Sequence, residues 1–306
     1  MRASNSSAGS PVQRDGPDEY EPGPKGQSAP ISPIASAAEQ ILRALDIETG
    51  ADRSTPSVTT KNSGRVRPVP VIAVVGAGGK STTTFSLAAA LAAKGSRVVV
   101  STTTKMGHDQ TGGLRVLSPD STAIAQALTG QGLCLVVEHP DPASPKVVGP
   151  PTVWFDDLAS SGLVDAIVLE ADGARRRNVK APGPHEPVLP TSTTHVVAVL
   201  GADALDRVIE DQGHRPMRIA AAAGCGPYDL LTAERAARLL VSDIGGRKGV
   251  TATRGFCAVI SKVTPDNRIN ADLTAKFIEA TGCSVVLVLY DHGAGLVVRP
   301  HKDVTS

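Results

Sequence analysis

The sequence predicts an α/β protein with a mostly parallel sheet and helices on both faces. Short runs of Val, Ile and Leu, typical of strands buried on both sides, alternate along the chain with segments of helical periodicity. One of these runs, residues 71–75, leads directly into a glycine-rich turn and then into a helix, as expected for a unit of a parallel sheet. At least six strands are expected.

Composition narrows the classes of function. The 306 residues carry a net charge of +1, which argues against a general binder of nucleic acid or membrane surfaces, and only 3% are aromatic. The four cysteines are far apart and form no C-x-x-C pair, which speaks against a zinc site or a disulfide framework. The sequence has no apolar run of about 18 residues and no signal-peptide pattern, so we expect a cytoplasmic protein.

The chain divides into four segments by composition. Residues 1–33 are rich in Ser, Pro, Gly and Asp and predict a disordered tail. Residues 34–47 have the apolar spacing of an amphipathic helix, and residues 48–69 return to the composition of a linker. The remaining residues, 69–299, are predicted to form one α/β domain.

Within this domain the apolar patterns define the individual elements. Strands are predicted at 71–75, 97–101, 114–117, 133–138, 166–169, 194–200, 256–260 and 284–290. Helices are predicted at 82–95, 119–128, 153–163, 202–209, 217–223, 232–241 and 272–280. The expected N-caps are Ser118, Thr232, and Asn270 or a neighbour of it. The proline-rich segment 139–151 is expected to be irregular.

The most informative stretch is the turn Gly76-Ala77-Gly78-Gly79-Lys80-Ser81 between the first strand and its helix. Glycines let the backbone curl around a phosphate, and a helix N-terminus offers unpaired N–H groups and partial positive charge. Lys80 can reach the phosphate oxygens, and the hydroxyl of Ser81, or less directly of Thr82, can ligate Mg²⁺. The layout indicates a fold of the P-loop nucleotide-binding type.

Two other interpretations of this turn stay open. The full P-loop pattern needs a glycine where Val74 stands, so the turn can also be an ordinary strand-to-helix connection with a solvated lysine. A dinucleotide-binding loop is the other rival. It needs a glycine at position 81, and the second strand ends without an acid for a ribose.

Polar residues also follow two other predicted strands. Thr103 and Lys105 lie at the end of the second strand, where they suit phosphate or Mg²⁺ contact, although a polar turn is the alternative. Glu170 and Asp172 end the strand at 166–169, and the strand period of two places both carboxylates on one face. An apolar strand that ends in acids is what a P-loop protein uses to hold Mg²⁺, so both are predicted metal ligands.

Basic residues and a stiff loop follow these acids. Residues 175–177 are three arginines, which can bind a phosphorylated substrate or form a solvated loop. The segment 180–190 contains four prolines, which reduce the entropy cost of holding side chains in place. His185 within it is a candidate general acid or base.

Four stretches taken together resemble the YqeC family, described as selenium-dependent hydroxylase accessory proteins. The stretches are V-V-G-A-G-G-K-S-T (74–82), S-T-T-T-K-M (101–106), E-A-D-G-A (170–174) and K-A-P-G-P-H-E-P-V-L-P (180–190). The resemblance covers roughly residues 35–290. It implies a P-loop protein whose short glycine loop is similar to that of Mur-type ligases, and a role in maturing molybdenum hydroxylases through a selenium-containing cofactor.

The resemblance supplies a pathway but no reaction, so several functions stay open. The leading hypothesis is an accessory protein that needs Mg²⁺ and a nucleotide, with Lys80, Glu170 and His185 in catalytic roles. A non-catalytic chaperone for an apo molybdenum hydroxylase, switched by nucleotide, is the second, and a Mur-like ligase is the third. The expected partners are a nucleotide and a hydroxylase or a cofactor intermediate, with no nucleic acid and no membrane.

Residues at the end of another predicted strand, 256–260, bear on which base the nucleotide has. The family tends to show an Asn-Lys-x-Asp-like stretch there, whereas this chain has Ser261-Lys262-Val263-Thr264. The Asn and Asp that would suggest guanine recognition are absent, so ATP is favoured over GTP.

Overall fold

The computed structural model describes residues 33–47, 68–107 and 110–290. The tail predicted at 1–33 and the linker predicted at 48–69 therefore lie almost entirely outside the described residues, as does the end of the domain beyond 290. All described residues belong to one compact unit. None of the helices in these ranges is long and apolar enough to span a membrane.

Thirteen strands occur in the described residues. They are β1 (Val71–Gly76), β2 (Val98–Thr102), β3 (Lys105–Gly107), β4 (Val116–Leu117), β5 (Leu133–Val136), β6 (His139–Pro140), β7 (Lys146–Val148), β8 (Ala166–Glu170), β9 (Val179–Lys180), β10 (His195–Gly201), β11 (Gly213–His214), β12 (Gly255–Val263) and β13 (Ser284–Leu289). Eight of them form one sheet in the order β13-β12-β10-β1-β8-β2-β5-β4, and all neighbours in it run parallel. This confirms the predicted mostly parallel sheet, and each of its strands lies where an apolar run predicts one.

Eight α-helices accompany the strands. They are α1 (Pro33–Ala44), α2 (Lys80–Ala93), α3 (Ser121–Gln131), α4 (Thr152–Ser160), α5 (Ile209–Gln212), α6 (Pro216–Ala223), α7 (Ala233–Val241) and α8 (Arg268–Glu279) among the described residues. Helix α1 packs against α2 and β13, although it precedes the first strand by a long stretch of chain.

The helices cover both faces of the large sheet. In β1, Ile72 and Val74 belong to the apolar cluster that α1 and α2 complete on one face. The alternate residues, Ala73 and Val75, belong to the cluster that α6, α7 and α8 complete on the other face. All four side chains are almost fully buried, as expected for a central parallel strand.

Two small sheets were not predicted. Strands β3, β7 and β6 form an antiparallel sheet of three strands, although 139–151 was expected to be irregular. Strands β9 and β11 form a parallel pair in which Lys180 lies opposite His214. Each of these strands has two or three residues, too few for a periodic pattern in the sequence.

Several helix boundaries differ from the predictions. The helix predicted at 202–209 is wrong, because Ala202–Ala204 forms a 3-10 turn and α5 begins only at Ile209. Helix α3 is capped by Asp120, which accepts from the Ala123 N–H at 2.7 Å, rather than by Ser118. The N-cap of α8 is Asn267, so Asn270 lies inside the helix. The predicted cap Thr232 is confirmed, since its hydroxyl accepts from the Arg235 N–H.

Candidate functional site

The candidate site lies at the carboxyl edge of the large sheet. In the register of the parallel strands, Val74 of β1 lies beside Glu170 of β8, and Glu170 in turn lies beside Thr102 of β2. The glycine loop (residues 76–81) leaves β1 at this edge and enters α2 at Lys80. Ligands of open parallel sheets bind at such an edge. The strand order therefore brings the loop and the predicted acids together.

The glycines of the loop are required by its backbone. Gly76, Gly78 and Gly79 have φ of 95°, 77° and 142°, a region that side chains other than glycine rarely adopt. A Cβ on Gly78 would also lie 2.6 Å from both the Asn178 carbonyl oxygen and the Gly201 nitrogen. The loop is thus held tightly between neighbouring backbone segments.

Gly78→Ala is expected to destabilise the protein by about 3 kcal/mol, as the sum of backbone strain and a backbone clash. Gly113 is a matched control, since its φ of 72° is similar but a Cβ there would meet no atom within 4 Å. Gly113→Ala should cost only the strain, about 1 kcal/mol. Urea unfolding of both variants measures the two free energies. Equal losses would contradict the tight fit of the loop.

The loop presents a series of unpaired backbone N–H groups. The N–H of Gly76 donates to Asp172 Oδ2 at 3.1 Å, and that of Ala77 donates to the Val199 carbonyl at 2.9 Å. For the next five N–H groups, those of residues 78–82, the described part of the chain provides no acceptor. The first turn of α2 also has no side-chain cap. Such a helix N-terminus can bind an anion.

Lys80, Ser81 and Glu170 form the centre of the site. Lys80 Nζ lies 3.4 Å from Glu170 Oε1, and Ser81 Oγ donates to Glu170 Oε2 at 2.9 Å. The side chains of Lys80 and Glu170 are only 5% and 9% exposed. A hydroxyl and a carboxylate side by side next to an anion-binding loop are suitable oxygen ligands for Mg²⁺. The structure thus brings together the three residues predicted for phosphate and metal.

Asp172 lies deeper than Glu170. Its Oδ1 is 3.5 Å from Lys80 Nζ, its Oδ2 is 3.0 Å from Lys180 Nζ, and its side chain is 2% exposed. Because both oxygens face lysines, Asp172 can hold Lys80 in place behind the loop. Its predicted role as a metal ligand stays a prediction.

The ion pairs continue from Lys180 into the proline-rich loop. Lys180 Nζ also donates to the Gly173 carbonyl at 2.7 Å and to Glu186 Oε2 at 2.8 Å, so it joins Asp172 to Glu186. Arg215 donates to both oxygens of Glu186, at 2.6 and 3.1 Å. Burial alone would raise the pKa of Glu186, but the hydrogen bonds from Arg215 and Lys180 outweigh it and lower this pKa to about 2.

The site opens into a cleft of about 1190 Å³. Among the residues that the structure describes, its lining includes eight Lys or Arg residues but only two acids, Glu170 and Glu186. The basic residues are Lys80, Lys105, Lys146, Arg175, Arg176, Arg177, Arg215 and Lys262. A concave surface with this excess of positive charge attracts anions.

Other predicted residues lie at different distances from this cleft. Thr82 and Lys105 line it, and Lys105 Nζ pairs with Asp141 at 2.9 Å. Thr103 donates to the Val188 carbonyl and does not line the cleft. His185 is exposed and is absent from the lining, whereas its neighbour Glu186 faces the cleft. The structure therefore does not bring His185 to the other candidates.

Sequence reasoning missed the roles of Lys180, Glu186 and Arg215. Glu186 and Arg215 are 29 residues apart, and no spacing rule predicts their contact. The signal that was present is the proline-rich loop itself. A lysine and a glutamate occur together in this rigid, mostly apolar loop. Because buried charges need partners, the simplest expectation is that the two side chains pair with each other.

Metal binding at this edge would depend on Ser81 and Glu170. In the described part of the chain, no group of three or more His, Cys, Asp or Glu side chains could hold a metal ion. Mg²⁺ in phosphate sites takes only one or two protein ligands and completes its shell with water and phosphate oxygens. The pair Ser81 and Glu170 fits that requirement.

Comparison with known proteins agrees with the resemblance seen in the sequence. The model of the family described as YqeC protein matches residues 72–217, which include all of β1 except Val71, the glycine loop and every residue of the ion-pair network. A protein of Escherichia coli (strain K12), described as uncharacterized protein YqeC, is 34% identical over 173 residues, which cover 56% of this chain and 68% of that protein. The chain therefore belongs to the YqeC family.

Proposed function

We propose that the protein binds a nucleoside triphosphate with Mg²⁺ at the glycine loop. The observation that carries this proposal is the combination of five unpaired N–H groups at residues 78–82 with the cation of Lys80 directly beside them. The phosphates would be held by these N–H groups and by Lys80, and Mg²⁺ by Ser81 and Glu170. This division of roles is the usual one for phosphate chemistry at a strand-to-helix loop.

ATP is the proposed nucleotide rather than GTP. Ser261 and Thr264 stand where a guanine-reading site would have Asn and Asp. Ser261 Oγ instead donates to the carbonyl of Gly78 and so supports the loop. Lys262 Nζ donates to Asn178 Oδ1 at 2.8 Å. Neither Ser261 nor Thr264 has the carboxylate that would pair with guanine.

The proposed biological role is that of an accessory protein in the maturation of selenium-dependent molybdenum hydroxylases. The support for this role is the function that the resemblance implies for the YqeC family, to which the chain belongs. In this proposal the cleft binds the nucleotide together with a cofactor intermediate. Alternatively, the bound nucleotide controls the affinity of the protein for an apo-hydroxylase. The ion pairs of Lys180, Glu186 and Arg215 would stabilise the conformation of the remaining cleft wall.

A nucleotide screen by thermal unfolding tests the proposal. A ligand that binds only the folded protein at 100 times its Kd adds about 2.7 kcal/mol of stability, which raises the Tm by about 5 to 10 °C in a chain of this size. We expect this increase with ATP and Mg²⁺, a smaller one with GTP, and a reduced one with ATP and EDTA. No increase with any nucleoside triphosphate would contradict the proposal.

A further inference from the structure

The positive charge of the cleft exceeds what the ion-pair network uses. In that network Lys80, Lys180 and Arg215 balance Glu170, Asp172 and Glu186, three cations against three carboxylates. Arg175 and Arg177 come in addition to these pairs and line the same cleft. In the described chain, no acidic side chain pairs with Arg175. The cleft thus has a wall of surplus positive charge.

The fold positions two more groups on this wall. Strand β11 places His214 beside Lys180 of β9, and Arg215 follows directly. The guanidinium of Arg215 is fixed by its two bonds to Glu186, while its side chain remains 32% exposed. A guanidinium that is fixed in place and partly exposed in the cleft can donate further hydrogen bonds to a bound oxyanion.

The backbone of the same wall is strained. Among the described residues other than glycine, six have positive φ, and four of these are basic residues that line the cleft: Arg175, Arg176, Arg215 and Lys262. A left-handed backbone is unfavourable for any residue that carries a Cβ. Strain of this kind persists where function requires a side chain in a particular place.

The pKa of His214 is sensitive to the positive charges on this wall. Burial lowers its pKa first, and the charges of Arg215, Lys180 and Arg175 lower it further, against a smaller opposing effect of Glu186. These are the charged groups that act on the imidazole. An anion bound between the arginines would offset their positive charge and so raise the pKa of His214.

We propose that Arg175, His214 and Arg215 form a second oxyanion subsite, separate from the glycine loop, which binds the phosphate or pyrophosphate group of a co-substrate. The inference rests on the proposed function in that the glycine loop is reserved for the nucleotide. Phosphate is the favoured group because several cations converge on one wall. A dianion or polyanion neutralises more of that charge than a single carboxylate does.

The experiment uses inorganic pyrophosphate as the probe and the NMR titration of His214 as the readout. The His214→Gln variant identifies the imidazole signal. We expect pyrophosphate to raise the pKa of His214 by about one pH unit, compared with chloride at the same ionic strength. The rise should be lost in Arg175→Ala and kept in Arg115→Ala, which removes an exposed arginine outside the cleft.

Two arms separate this subsite from the glycine loop. In Lys80→Ala the response of His214 to pyrophosphate should persist, and in the wild-type protein it should persist with saturating ATP and Mg²⁺. A response that disappears in both arms would mean a single site at the loop and would overturn the proposal, as would the absence of any response in the wild type. If no nucleotide binds but the Arg175-dependent response remains, the proposed function fails while the subsite stands.

Discussion

Lys80→Ala is expected to abolish the stabilisation of the protein by ATP and Mg²⁺. Lys80 is the cation at the unpaired N–H groups of residues 78–82, and its ammonium lies within 3.5 Å of two carboxylates that fix its position. Without it, the phosphates would meet Glu170 and Asp172 with no positive charge between them. We expect affinity for ATP to fall at least about 100-fold, a loss of roughly 3 kcal/mol. Isothermal titration calorimetry measures it.

The same variant leaves two buried carboxylates without their lysine, so it is also expected to be less stable. Ser81→Ala separates the two effects, because it removes a proposed Mg²⁺ ligand without changing the charge. This variant should lose only the hydrogen bond to Glu170, a smaller cost in stability than the loss of the lysine, and should lose the dependence of ATP binding on Mg²⁺. Lys146→Ala is the control for net charge, since Lys146 is exposed and lines the same cleft. Unchanged ATP and GTP affinity in folded Lys80→Ala would refute the nucleotide site.

The large sheet could be predicted because its strands are buried on both faces. Strands such as 71–75 and 166–169 appear as continuous apolar runs, and the structure places them at the centre of the sheet. The short strands β3, β6 and β7 could not be found in this way. The pairing of β3 with β7 is long-range, and Pro140 in β6 argues locally against a strand.

The part of the site that lies at the ends of the parallel strands could be predicted from the sequence. The rule that parallel strands end at one edge brought Lys80, Ser81 and Glu170 together. It could not identify the partners of Asp172 and Glu186, because Lys180 and Arg215 reach them from a small sheet with no periodic signal. His185 was selected for its residue type, and the structure favours the glutamate that follows it.

Glu186→Gln is expected to have the largest effect on stability. The carboxylate of Glu186 bonds to Lys180 and to Arg215, and its pKa is about 2 instead of the ordinary 4.5. Its contribution is fully present above about pH 4.5, where the unfolded chain is also ionised, and is lost as the pH falls towards 2. A shift of this size corresponds to roughly 3 kcal/mol. The amide should lose at least that much at pH 7.

The pH dependence distinguishes this ionic contribution from a simple loss of packing. The difference in unfolding free energy between wild type and Glu186→Gln should be constant from pH 7 to about 5 and should then shrink, because the unfolded wild-type chain binds a proton near pH 4.5 while the folded carboxylate stays ionised down to about pH 2. Urea unfolding at pH 7, 5, 4 and 3 measures it. Glu138→Gln, at an exposed glutamate, should follow the wild-type curve throughout. A difference independent of pH would mean that Glu186 stabilises the loop by shape alone, because a pKa that differs between the folded and the unfolded state makes stability depend on pH.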